Sequence, residues 1–65
     1  MLRERYGLTR KEARVARLVA EGKSNEEVGK ALSISPHTAR HHAEQIMRKL
    51  GVKWRGEVGP TLLRG

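Results

Sequence analysis

Three helix starts follow one another closely between Thr9 and Pro36 of this chain. Thr9-Arg10-Lys11-Glu12 and Ser24-Asn25-Glu26-Glu27 are both capping boxes. In each, the hydroxyl can accept from the backbone N–H three residues on, while the glutamate reaches back to the N–H of the capping residue. Ser35-Pro36 is a third start, with serine as the cap and proline at the first helical position, where its missing N–H costs nothing. Gly22 and Gly51 supply stops, because glycine takes the left-handed conformation at little steric cost. The spacing predicts helices over about 10–21, 25–32 and 36–50, and so an all-α domain of three to four helices covering residues 1–65.

The apolar residues agree with these limits. In the first helix Val15, Ala16, Leu18 and Val19 form one stripe, with Arg10, Arg14, Arg17 and Glu21 on the other side. Leu8 and Ala13 flank the first cap as a hydrophobic staple would. Val28, Ala31 and Leu32 are expected to be the buried face of the second helix, and Ala39, Ala43, Ile46 and Leu50 that of the third. Glu57, Val58, Leu62 and Leu63 suit a fourth helix over about 56–63. Gly56, Gly59 and Pro60 oppose it, so a short, poorly formed helix is expected there. With no cysteine in the sequence, apolar packing alone must hold the fold. Tyr6 and Trp54, the only aromatic residues, are expected to serve that packing rather than to stack on bases.

About three residues join the second and third helices, too few for an antiparallel hairpin of long helices. The alternative is the crossed pair of the helix-turn-helix, a geometry that purely structural helical domains also use. Gly29 allows the close approach such a crossing needs, and Val28, Leu32, Ile34 and Ala39 fill the space between the two helices. Away from its apolar stripe the third helix carries His37, His41, Glu44 and Arg48, with Arg40 on one shoulder and Thr38, His42 and Lys49 on the other. Fourteen Lys and Arg against seven acidic residues give a formal charge of +7. That balance favours a polyanionic partner, nucleic acid first, with acidic membranes and acidic proteins as alternatives.

A helix with such a face fits the major groove of double-stranded DNA, where its first turns do the reading. His37, Arg40, His41 and Glu44 are the base-reading candidates. Lys23, Ser24, Asn25, Ser35, Thr38, His42, Arg48 and Lys49 are the phosphate-binding candidates, helped by free N–H groups at the starts of the second and third helices. On this reading Arg40→Ala relaxes base preference, whereas Lys49→Ala weakens every duplex alike.

The string Leu8-Thr9-x-x-Glu12, Val19-Ala20-x-Gly22-x-Ser24-Asn25-x-Glu27-Val28, Leu32-x-Ile34-Ser35-x-x-Thr38, then His42, Ile46, Lys49-Leu50-Gly51-Val52 and Arg55-x-Glu57 resembles the LuxR-type (GerE-type) helix-turn-helix family. The resemblance runs without a gap over about fifty residues. It implies four helices, the third inserted in DNA and the fourth forming a dimer contact on it. It also implies the output module of a bacterial transcription regulator, often behind a receiver or ligand-sensing domain. By position, Arg40, His41 and Glu44 fall where family members touch bases. The sequence departs from the family at Ala39, where valine is usual, at Gly29, where alanine is usual, and at Gly56, Gly59 and Pro60.

Other functions find little support. His37, His41 and Glu44 have the spacing of a metal site but lack a fourth ligand, so no metal or other cofactor is expected. Without cysteine, aspartate or a Gly-rich phosphate loop, catalysis is not expected either. Glu44 can accept from cytosine N4, or else be solvated or paired within the chain. No apolar run approaches a membrane span and residues 1–5 have no signal-peptide character, so a cytoplasmic location is expected. Glu12 falls inside the apolar arc of the first helix and is expected to pair with a cation, Arg55 being the first candidate.

Overall fold

A computed structural model describes residues 6–64; the N-terminal residues 1–5 read above lie outside the described residues. Four α-helices lie whole within it: α1 (Arg10–Ala20), α2 (Asn25–Leu32), α3 (Pro36–Leu50) and α4 (Val58–Arg64), with a 3-10 turn at Arg55–Glu57. There is no strand among the described residues.

The helices begin where their caps place them. Thr9 Oγ1 accepts from the Glu12 N–H at 3.1 Å, and Glu12 Oε1 accepts from the Thr9 N–H at 2.9 Å. Ser24 and Glu27 repeat the exchange at 3.1 and 2.8 Å. Ser35 Oγ accepts from the Thr38 N–H at 3.1 Å, with Pro36 opening α3. At the other ends, Gly22 (φ 87°) and Gly51 (φ 72°) turn the chain left-handed. This lets the Lys23 N–H reach the Leu18 carbonyl and the Val52 N–H reach the Met47 carbonyl, each at 3.0 Å.

α3 packs on α1 and α2, while α1 also packs on α4. Ala39, Ala43, Ile46 and Leu50 meet Val15, Ala16, Val19, Val28, Leu8 and Val58 in one apolar core, and Tyr6 packs against its edge. On α2 the inward residues are Val28, Gly29 and, in part, Leu32. Ala31, expected to be buried, is exposed. At 100° per residue it lies on the far side of Val28 from Leu32 and Gly29, and Gly29 takes its place in the interface.

The α2–α3 turn explains why position 29 is a glycine. Ser33 is left-handed (φ 57°), and the N–H of Ile34 folds back onto the Gly29 carbonyl at 2.9 Å. A Cβ on residue 29 would lie 2.6 Å from the carbonyl oxygen of Ile34, well inside contact distance. A Cβ here requires the turn or α3 to shift from the arrangement seen in this chain. The left-handed serine costs roughly 1 kcal/mol, which the packing around it must offset.

The C-terminal segment is better formed than its glycines and proline suggested. α4 is a regular α-helix of seven residues. Pro60 is its third residue, inside the first turn, where no intrahelical hydrogen bond is lost. Gly59 sits against the end of α1, where a Cβ would lie 3.4 Å from the Ala20 carbonyl oxygen. Val58 and Thr61 are buried, whereas Leu63 is 90% exposed.

Trp54 is not a packing residue, for it is 69% exposed. Its backbone is extended (φ −122°, ψ 141°), so neighbouring side chains point to opposite sides. Arg55 takes the inward direction and Trp54 is left outside.

Candidate nucleic-acid interface

Burying Ala39, Ala43, Ile46 and Leu50 turns the opposite side of α3 outward. His37, Arg40, His41, Glu44 and Arg48 are all exposed on that side, and Thr38 and His42 are half-buried at its margin. The four base-reading candidates therefore share one solvent-facing surface on the first half of a rigid helix. His41 and His42 place their ring centres 6.5 Å apart at a tilted angle. Arg40 Nε donates to Glu44 Oε2 at 3.4 Å, an i,i+4 ion pair in which both side chains stay more than half exposed. Glu44 thus has a partner within the chain.

The two helix starts differ in charge. The first turn of α2 carries Glu26 and Glu27, whereas that of α3 carries no acidic residue. The Ser24 N–H is taken by the Glu27 carboxylate, and this hydrogen bond holds Glu27 below its ordinary pKa. The start of α3 offers the His37 N–H and the hydroxyls of Ser35 and Thr38, which are hydrogen-bonded to each other at 3.0 Å, without a competing carboxylate; Pro36 has no N–H and that of Thr38 is taken by Ser35 Oγ. It is the better anion seat of the two.

Several phosphate-binding candidates have structural partners. Asn25 Oδ1 accepts from Arg55 Nη1 and the Lys23 carbonyl accepts from Arg55 Nη2, both at 2.7 Å. Arg55 therefore fastens the segment after α3 to the start of α2. Lys49 Nζ donates to Glu12 Oε1 at 2.6 Å and to the Gly7 carbonyl at 3.0 Å. The cation beside Glu12 is Lys49 rather than Arg55, because Arg55 is spent on the α2 start. The side-chain hydrogen bond from Lys49 and the backbone hydrogen bond from Thr9 hold the Glu12 carboxyl below its ordinary pKa against the opposing effect of burial. Lys23, Ser24, Ser35 and Arg48 remain exposed.

Glu12 announced its need for a cation by standing in an apolar arc, but nothing local selected Lys49, 37 residues away. The Arg55 clamp carried no sequence signal of its own. Among the described residues no group of three His, Cys, Asp or Glu side chains could hold a metal ion. No described helix is long and apolar enough to cross a membrane.

Comparison with known proteins places this geometry in context. Residues 6–58 match the family model of bacterial regulatory proteins of the luxR family. The chain is 40% identical over 57 residues to the spore germination protein GerE of Bacillus subtilis, covering 88% of this chain and 77% of that protein. It is 33% identical over 61 residues to the putative HTH-type transcriptional regulator YhjB of Escherichia coli, covering 94% of this chain but 30% of that one. It is 42% identical over 45 residues to the transcriptional regulatory protein DegU of Brevibacillus brevis, covering 69% and 19% of the two chains. No solved structure matches the chain. The matching segment contains both capping boxes, the Gly29 crossing and the exposed face of α3, and the chain belongs to the luxR family of bacterial regulatory proteins as a DNA-binding helix-turn-helix module.

Proposed function

We propose that residues 1–65 act as one sequence-specific reader of double-stranded DNA, with α3 inserted in the major groove as the output module of a transcription regulator. The observation that carries this reading is the solvent face of α3, on which every base-reading candidate is exposed while the opposite face is wholly buried. Arg40 and His41 contact base edges, and His37 contacts them from the first turn, where a recognition helix lies deepest. Ser35, Thr38 and the His37 N–H at the start of α3 hold one phosphate; Lys23, Ser24 and Arg48 hold flanking ones. Lys49 uses two of its three N–H donors on Glu12 and the Gly7 carbonyl, so its first role is to fix α3 against α1.

Two copies would pair on DNA through α4, whose Leu63 is exposed. In a longer parent protein this module would follow a receiver or sensing domain, as the short shares of YhjB and DegU that it matches suggest. Such a regulator works in the cytoplasm and is not an enzyme.

The test is selection from a randomised duplex pool at near-physiological salt, followed by sequencing of the retained DNA. A short enriched motif is expected, in two inverted copies about one helical turn apart if α4 pairs the modules. Retention without enrichment would reduce the chain to a charge-driven binder. No retention would favour docking to an acidic protein.

A further inference from the structure

The Arg40–Glu44 pair lies in the middle of the face proposed to read DNA, and its geometry bears on how that face discriminates. Arg40 is 66% exposed, and a long side chain so exposed is free to sweep a wide volume unless something holds it. Among the described residues its side chain bonds to Glu44, and the contact is made through Nε. This leaves the outer edge of the guanidinium, Nη1 with Nη2, unoccupied. That edge carries two parallel N–H donors, the arrangement that fits O6 and N7 of a guanine in the major groove. Glu44 comes one helical turn after Arg40. It therefore lies beside the arginine stem and away from the free edge.

Glu44 is itself a poor neighbour for DNA. A carboxylate on a groove-facing surface is repelled by phosphate, and the pair has no net charge to offer the duplex. Residues chosen for affinity alone would not include it. Its presence is explained by what it denies Arg40: an arginine held at Nε cannot readily swing out to the nearest phosphate, where it would bind every sequence alike.

We propose that Glu44 is a positioning residue for specificity, holding Arg40 by Nε so that its Nη edge is presented to a guanine, rather than a reader of a base in its own right. This inference rests on the reading of α3 as the recognition helix. Both side chains are exposed and neither belongs to the core, so substitutions here leave the fold intact.

The experiment is duplex-pool selection performed in parallel on the unaltered chain, Glu44→Ala, Arg40→Ala and the double variant, with salt-dependent binding of the winning duplex for each. Alanine is used because a glutamine oxygen would still accept from Nε. The unaltered chain is expected to select a guanine at one position that Arg40→Ala loses. Glu44→Ala should lower the preference at that same base pair by about twofold, the scale of one exposed i,i+4 pair. It should leave the other positions unchanged, and the double variant should be no less selective there than Arg40→Ala alone. Overall duplex affinity of Glu44→Ala should hold or rise, with a steeper salt slope as the released arginine turns to the backbone. Loss of preference at a different base pair would overturn the proposal, because Glu44 would then be reading a base directly. An unchanged profile in Glu44→Ala would overturn it too. If the unaltered chain itself enriches no base, the underlying reading of α3 fails and this proposal falls with it.

Discussion

Gly29 and Gly59 both lie in helices and both face the backbone of another element, yet only the first is sterically required. A Cβ at residue 29 would meet the Ile34 carbonyl oxygen at 2.6 Å, whereas one at residue 59 would meet the Ala20 carbonyl oxygen at 3.4 Å, an ordinary contact. The α2–α3 crossing is therefore fixed by backbone against backbone. The α1–α4 contact is held by side chains, chiefly the fully buried Val58. The first sets the angle at which α3 is presented; the second closes the core behind it. A chain of this length has roughly 3–10 kcal/mol of stability to spend, so disturbances at the two places should differ in kind.

The largest effect is expected at the crossing. Gly29→Ala forces either the turn or α3 to move, at a cost of about 3 kcal/mol. Thermal unfolding followed by circular dichroism should show a fall of ten degrees or more. An unchanged transition would mean that the crossing is not tightly fixed.

Next comes the pair that ties α3 to α1. Lys49→Met leaves the buried Glu12 carboxylate without its cation and should cost on the order of 1–3 kcal/mol. Because the folded Glu12 pKa is depressed, its contribution is present above about pH 4.3, the ordinary glutamate value, and is lost as pH falls through the lowered folded value. Lys49→Met removes the largest cause of that depression, so urea titrations should find less stability at neutral pH and a smaller loss on going from pH 6 to pH 3. Equal acid sensitivity in the two proteins would show that the pair does not set it. If Lys49 were instead a free phosphate contact, the variant would keep its stability and lose DNA affinity.

Arg55→Ala releases the segment after α3 from Asn25 and the Lys23 carbonyl. About 1 kcal/mol should be lost, and amide hydrogen exchange should rise at the start of α2 while the core of α3 stays protected. Uniform loss of protection would assign Arg55 to the core instead.

The smallest effect is expected at Gly59. Gly59→Ala gains helix propensity, but its Cβ meets the Pro60 ring, which disfavours a helical residue with a Cβ before it, so the two nearly cancel to within about 0.5 kcal/mol. A change in Tm of no more than a few degrees is expected. A large fall would show that α4 is as tightly seated as α3.

The same comparison explains which features could be read from the sequence. The three helix starts depend on residues no more than three positions apart, so Thr9, Ser24 and Ser35 announced them and the structure begins its helices there. The crossing at Gly29 was legible because a glycine beside a three-residue turn has few other uses. The polar face of α3 followed from its apolar stripe by helical geometry. Features that depend on where the chain returns were hidden. Glu12 plainly needed a cation, but choosing Lys49 over Arg55 requires knowing that Arg55 is occupied 30 residues away at Asn25. Gly59 and Pro60 point away from a helix at α4 by composition, although a proline in the first turn removes no hydrogen bond. The outward direction of Trp54 is decided by the inward turn of its neighbour, which its own residue type does not reveal.

The central claim, that the outer face of α3 meets DNA, is tested most directly by titrating the isotope-labelled chain with a duplex taken from the selection and following each backbone amide by NMR. The account predicts that the large shift changes fall at Ser35, at residues 37–48 of α3 and at the start of α2 near Ser24. Amides along the outer side of α1, at Arg14 and Arg17, should hardly move. Changes centred on α1 or α4, with α3 unmoved, would contradict it.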